Sequence, residues 1–556
     1  MRADDRNMRA VRHKLRMWNG IALATALSLA VGVVSGFFDE PKTDPESVVE
    51  RFAAALTEGD IGEAAELTSY PAAAEAAITQ AFDGLHAEKA TFDVNQYIPL
   101  GDDAGIFNAT ADWSFGDGKS WQYNIDGRVR KLSIGWRVSW QPQTLAPGLG
   151  HGRTLRYDRT DAAPPRVFDI AGNLMMTEQR INTVTLDPGA MPDPVFSTNR
   201  LAKVIEPVAP LITGPTLMQE LAATPGQRIT AVSLRDDDFA VLEDDLRAVP
   251  GVVIDQRLKL ISNDRRVSGP MVDAMRNVWQ LNRDATAGWA VHAVDPDGTL
   301  IRQTGFQGPP GPDIRSTLDP RVQLAAEEAV VSVGTPAVIV MMQPSTGAVL
   351  AVTQNNQAAE MGPVAFTGQF PAGSAFDLVG AAATAQNTDI QHAARQLGLG
   401  MDYEMPGLEQ RTDDLDGRGA NLMRTESGPD TDKQVKVSPL GMTLVAASVA
   451  RGSTAVPVIA AGQPATTDES PAPMPREVND RLRTMMWENV HRGPASMLAE
   501  HGDLIGMTGS FEDDRWFYGA KGDLAFAVFV KDADGSDQAV KMTSKLFKEM
   551  AKPPTP

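Results

Sequence analysis

Cysteine is absent from this 556-residue chain. That excludes a disulfide framework, a thiolate metal site and a lipidated cysteine as anchor. Histidine is sparse: His13, His86, His151, His292, His392, His491 and His501 stand singly, with neither metal-ligand spacing nor a G-x-S-x-G serine. Positive charge is short as well, with 51 Lys and Arg against 71 Asp and Glu, a net −20. Before Met17 six cations face two acids, so the remainder carries about −24 (−20 less +4). Such a surface argues against nucleic acid or anionic lipid as the main partner. No metal and no cofactor are expected. DDLDG (Asp413 to Gly417) and DADGSD (Asp532 to Asp537) are acidic turns that do not fit a twelve-residue calcium loop.

One long apolar run is present. WNGIALATALSLAVGVVSGFF, Trp18 to Phe38, is free of charge and would span about 30 Å as a helix. Arg2, Arg6, Arg9, Arg12, Lys14 and Arg16 precede it, and Asp39, Glu40, Lys42, Asp44 and Glu46 follow. The charge asymmetry predicts a cytoplasmic arm over 1–17, a single membrane helix over 18–38 and an extracytoplasmic remainder. A cleaved signal peptide is the competing reading, opposed by the length of the run.

Beyond the anchor the periodicity alternates between helix and strand. DPESVVERFAAALTEGD places Val48, Val49, Phe52, Ala55 and Leu56 on one helical stripe, with Asp44 as the expected cap before Pro45. PAAAEAAITQAFDGL, Pro71 to Leu85, repeats the pattern. Four stretches of period two follow, the middle pair joined by a GDGK turn, Gly116 to Lys119. Together they predict an α+β domain over 45–145, with Trp136 and Trp140 on one strand face in its core. Short helices and strands fill 146–308, among them TGPTLMQELAATPG as helix, GVVIDQRLKLIS as strand and a hairpin turning at Asp297 and Gly298. GFQGPPGPDIR, Gly305 to Arg315, marks a boundary. From 313 to 556 the chain reads as one α/β domain, in which PAVIVMM and AVLAV pair across a turn containing Pro344 and Gly347.

That domain is organised around PAGSAFDLVGAAATAQ, Pro371 to Gln386. Read by itself, S-x-x-D before an apolar run is a capping box of Ser374 and Asp377. The neighbourhood supports a second reading. TLDPRVQLAAEEAV, PAVIVMMQPSTGAVLAV, QNTDIQHAARQLGLG and LIGMTGSFEDDRWFYGAKGDLAFAVFVKD resemble, in this order, the transpeptidase domain of class B penicillin-binding proteins. The first domain, with WRVSWQPQTLAPGLGHG, resembles the NTF2-like N-terminal module of the methicillin-resistance type. Pro165, Arg166, Asp169 and Gly172 match part of the pedestal motif of that family, with Val167 where a glycine is usual.

The resemblance implies a multidomain α+β architecture: membrane helix, NTF2-like domain, pedestal or dimerisation domain over 146–308, and transpeptidase-like domain. It also implies three motifs, and this chain departs from each. In S-x-x-K, Ser374 takes the nucleophile's place and Asp377 that of the lysine. In S-x-N, the matched positions are Ala385 and Asn387. In K-T-G-[ST], the lysine is Met507, while Thr508, Gly509 and Ser510 remain as substrate-binding positions. Residues i and i+3 share a helix face, so a base at that spacing would reach the nucleophile. A carboxylate there disfavours an alkoxide and repels the carboxylate of stem peptides and β-lactams. The resulting expectation is a non-catalytic partner or regulator in peptidoglycan synthesis, beside a lipid II polymerase or an active transpeptidase. The alternatives are an active D,D-transpeptidase or carboxypeptidase acylated at Ser374, rescued by a cation such as Lys433 or Lys436, and a module that holds a stem peptide non-covalently.

Overall fold

The computed structural model describes residues 44–150, 152–408, 420–421, 423–425, 435–467 and 470–553. Trp18 to Phe38 and the basic arm lie outside them, as do Lys433 and Asp413 to Gly417. No helix among the described residues is long and apolar enough to cross a membrane. No group of three or more His, Asp or Glu among them is clustered as a metal site would need.

The chain divides into two compact units, one built from residues up to Asp158 together with Ala290–Gly305, the other from Arg159–Trp289 and Phe306 onward. In the first, helix Pro45–Glu58 buries the stripe anticipated from its sequence, Val48, Val49, Phe52, Ala55 and Leu56. Asp44 occupies the cap position, but its side chain makes no cap hydrogen bond; Pro45 and the acidic Glu46 start the helix instead. Helices Ile61–Glu66 and Pro71–Leu85 follow. Four antiparallel strands, Lys89–Pro99, Ala104–Ser114, Ser120–Leu132 and Gly135–Val138, form the sheet in sequence order. Their alternation turns Trp113 inward, edge-on to Phe82 and Phe92. The last strand stops at Val138, so Trp136 and Trp140 do not share a strand face: Trp140 is buried beyond the strand, while Trp136 is half-buried.

The hairpin Trp289–Val294 and Leu300–Phe306 turns at Asp297 and Gly298 as its sequence suggests, yet it pairs with Thr154–Arg159 and belongs mainly to this first unit. The 146–308 segment is therefore divided between the units. No local pattern could show this, because the pairing joins residues more than a hundred positions apart.

In the second unit, strands Leu174–Leu186, Ile229–Arg235 and Val252–Ser262 share a sheet with the short strands Val167–Phe168 and Ile314–Arg315. Helix Gly214–Ala223 carries a capping box, Thr213 with Thr216. Its largest layer is a five-stranded antiparallel sheet, ordered Val349–Gln354, Ala337–Met342, Leu524–Val530, Asp514–Lys521 and Ile505–Phe511. Alternate residues face two cores. Val338, Val340, Tyr518, Ala527 and Phe529 pack towards helices Pro439–Arg451 and Asp377–Gln386. Ile339, Met341, Phe517, Phe526 and Val528 pack towards Pro320–Val330 and Gln538–Met550. The result is a three-layer α/β/α sandwich of the kind period-two strands between amphipathic helices produce.

The segment entering helix Pro270–Ala285 is stitched to this sandwich by the buried Gln323. Its Nε2 donates to the carbonyls of Ser268 and Val352, and its Oε1 accepts from the Val352 N–H. Gln323 also donates to Glu327, which accepts from the Ser268 N–H at 3.3 Å. Burial holds the Glu327 carboxyl above the usual range, with a smaller contribution from Glu328, against the opposing pull of the bonds from Gln323 and Ser268. The folded state thus binds this proton more tightly than the unfolded chain. Stability from this group is complete below the unfolded pKa and is lost as pH rises through the folded one. Glu327→Gln keeps an acceptor and removes the charge: thermal melts should show a higher midpoint at pH 7 and no gain below about pH 4.

Candidate functional site

Ser374 does not cap the helix it precedes. A 3₁₀ turn, Gly373–Phe376, carries it, and the α-helix begins only at Asp377, with no side-chain cap. The capping-box reading is therefore not what the structure shows. Ser374 Oγ instead accepts a hydrogen bond from the Ser510 N–H at 2.9 Å, and its own hydroxyl lies 3.4 Å from the Ser510 carbonyl. Helix start and edge strand are joined at the residue proposed as nucleophile.

Two glycines make this approach possible. A Cβ on Gly509 would fall 2.3 Å from the Ala375 Cβ, and one on Gly373 would fall 2.1 Å from the Ser510 carbonyl oxygen. Gly373 also has φ +48°, a conformation that side chains with a Cβ rarely adopt. The neighbouring strand holds the turn's carbonyls: Trp516 Nε1–H donates to Pro371 at 3.0 Å and the Tyr518 hydroxyl to Ala375 at 2.8 Å. Burial, and then the Asp377 carboxylate, push the Tyr518 phenol well above its ordinary pKa, so it stays a donor. Thr508 Oγ1 donates to Asn489 Oδ1 at 3.1 Å, and Asn489 Nδ2 donates to the Gly506 carbonyl, tying the strand to helix Arg476–His491.

The sequence did not single out Trp516, Tyr518 or Asn489 as fixings of the site. Alternation along the W-F-Y run carries the Tyr518 signal, since residues two apart face one way. Nothing in the spacing marks Asn489.

Asp377 is exposed in the first turn of its helix and has no hydrogen bond or ion pair among the described residues. Met507 is half-buried and packs against the same core as the Ser374 turn. Thr508, Gly509 and Ser510 thus line the strand edge beside Ser374, as their motif position implies. Ala385 and Asn387 do not come to this place. Ala385 packs on the core, and Asn387 ends the helix in the left-handed conformation, φ +51°, its N–H reaching back to Ala383 and Thr384. Ten residues of helix separate it from Asp377, about 15 Å. It serves as a C-cap, and its assignment to the second motif does not hold.

Lys436 lies on strand Val435–Val437, paired with Pro371, three residues before the serine. Both hydrogen bonds of Ser374 Oγ among the described residues are nonetheless with Ser510, and no Lys or Arg side chain bonds to it there. The turn's fixings predict that Gly509→Ala forces strand and turn apart. Overpacking of this kind costs about 1–3 kcal/mol, read as a lower melting midpoint, whereas Ser510→Ala, which leaves the amide in place, should leave it nearly unchanged.

Residues 44–153 match the family model of the NTF2-like N-terminal transpeptidase domain. The match covers most of the first compact unit. No curated protein matches the chain. Residues 44–153 are thus an NTF2-like domain of the kind the family model describes at the N-terminus of transpeptidases.

Proposed function

We propose that the protein is a class B penicillin-binding-protein homologue of the cell envelope, held by Trp18 to Phe38, and that it acts in peptidoglycan synthesis as a non-catalytic partner or regulator. The match over 44–153 and the order of motif-like segments in 313–556 support the family reading. One observation carries the inactive reading: Ser374 sits on a built turn against its strand, while the residue three positions on is an exposed carboxylate with no cation partner among the described residues. Losing a general base costs about 10²–10⁴ in rate, and losing a fixed cationic contact about 10²–10³. The two need not multiply, since groups of one constellation act together. Partners implied by the resemblance are a lipid II polymerase or an active transpeptidase. Non-covalent holding of a stem peptide along the Thr508–Ser510 edge is compatible with the same geometry.

A second reading, acylation of Ser374 by a D-Ala-D-Ala carbonyl or a β-lactam, is favoured by the exposure of Ser374 and by the neighbouring Ser510 N–H, which bonds Oγ itself and would be released to an oxyanion once the serine is acylated. Labelling with a fluorescent penicillin separates the two. The full chain should show no covalent adduct in gel fluorescence or intact mass; an adduct that disappears in Ser374→Ala would sink the inactive reading. Restoring both cations, Asp377→Lys with Met507→Lys, should raise adduct formation above the unmodified chain, and that gain should vanish when Ser374→Ala is added.

A further inference from the structure

The first unit has two unlike ends. At one, the 100–103 turn joins strands Lys89–Pro99 and Ala104–Ser114, and the Ser133–Ile134 turn joins Ser120–Leu132 to Gly135–Val138. Lys131 N–H donates to the Asp103 carbonyl, so the two turns are neighbours. Large apolar side chains crowd this end: Ile134 is 68% exposed, Leu100 53%, Ile98 41% and Leu132 40%. Arg128, Arg130 and Lys131 stand among them, all exposed and without ion-pair partners among the described residues. Asp102 and Asp103 are the acids of the first turn. At the other end, the Gly116–Lys119 turn projects Asp117.

The chain enters the domain at the apolar end. Helix Pro45–Glu58 runs antiparallel to strand Lys89–Pro99: the Phe92 N–H donates to Thr57 Oγ1, setting the helix's last turn beside the strand's beginning. Its first turn therefore lies near the strand's end, where Tyr97 feels the carboxylates of Asp44 and Glu46 in addition to its burial. Asp39–Asp44 separate Trp18–Phe38 from this helix, a reach of at most about 20 Å.

We infer that the two hairpin tips dock on the phospholipid surface from which the chain emerges, with Leu100 and Ile134 in the interfacial zone and Arg128, Arg130 and Lys131 towards the headgroups. This rests on the reading of Trp18–Phe38 as a membrane anchor. The acidic surface as a whole disfavours electrostatic adsorption, so contact is confined to the tips. Protruding apolar residues flanked by cations suit an interface where hydrocarbon and phosphate meet. The tether makes the encounter intramolecular, so little intrinsic affinity is required.

Because the chain lacks cysteine, single substitutions Leu100→Cys, Ile134→Cys and Asp117→Cys can each carry an environment-sensitive fluorophore. The full chain is reconstituted into vesicles of phosphatidylcholine and phosphatidylglycerol. Labels at 100 and 134 should shift to the blue and be quenched by lipid-borne nitroxides, while the label at 117 stays aqueous. An apolar label can itself seek lipid, so a label at Ser133→Cys is compared with and without Leu100→Asp/Ile134→Asp; the double substitution should abolish its shift. Labels at 100 and 134 as wet as that at 117, in protein that survives an alkaline carbonate wash of the vesicles, overturn the docking alone. Protein stripped by the wash overturns the anchor and the docking with it. A shift already present in detergent and growing with protein concentration would report a second copy of the chain on this end, and would overturn the proposal too.

Discussion

The contact between the Gly373–Phe376 turn and strand Ile505–Phe511 sets the geometry of the second unit's site. It requires backbone against backbone, which is why Gly509 faces Ala375 and why Gly373 sits under the Ser510 carbonyl. An amide hydrogen bond then fixes the Ser374 hydroxyl, and two buried donors from the next strand, Trp516 and Tyr518, occupy the turn's carbonyls. Every one of these groups hangs on the register of the five-stranded sheet. In the antiparallel pairing, Gly509 stands opposite Trp516 and Met507 opposite Tyr518, and a slip of one residue would reverse which face each presents.

The same frame leaves the side chains around the turn free of any structural demand for charge. An acid in the first turn of a helix is favoured by the exposed amides there, by about 0.3–1 kcal/mol, so Asp377 suits its local position better than a cation would. A half-buried thioether at Met507 avoids the desolvation an ammonium would suffer against the core. Both residues are locally comfortable, and neither brings a positive charge to the Ser374 turn. The turn is held by backbone and aromatic donors, so neither Asp377 nor Met507 is needed to keep its shape.

Much of this was legible in the sequence where one element decided the pattern. The helical stripe from Val48 to Leu56, the alternation of Ala104–Ser114, and the paired strands Ala337–Met342 and Val349–Gln354 each obey a short period, and burial follows it. The candidate site was legible in part: Ser374 with Thr508, Gly509 and Ser510 are brought together, but through a resemblance that linked segments over 130 residues apart. Local rules failed where a distant partner competed. Ser374 has the signature of a cap, yet the Ser510 amide claims its hydroxyl. Asn387 matches one letter of a motif, yet helix termination accounts for it. Asp44 precedes a proline as caps do and makes no such bond.

The hairpin of residues 289–306 belongs chiefly to the unit that the chain began more than two hundred residues earlier. Synthesis runs from the N-terminus, and a domain assembles once all its pieces have left the ribosome. Thr154–Arg159 therefore waits without any strand partner while the intervening segment of the second unit is made. Completion of the N-terminal unit is delayed until about Phe306 has emerged, so a nascent chain halted shortly after residue 160 has its four-stranded sheet but lacks the three-stranded one.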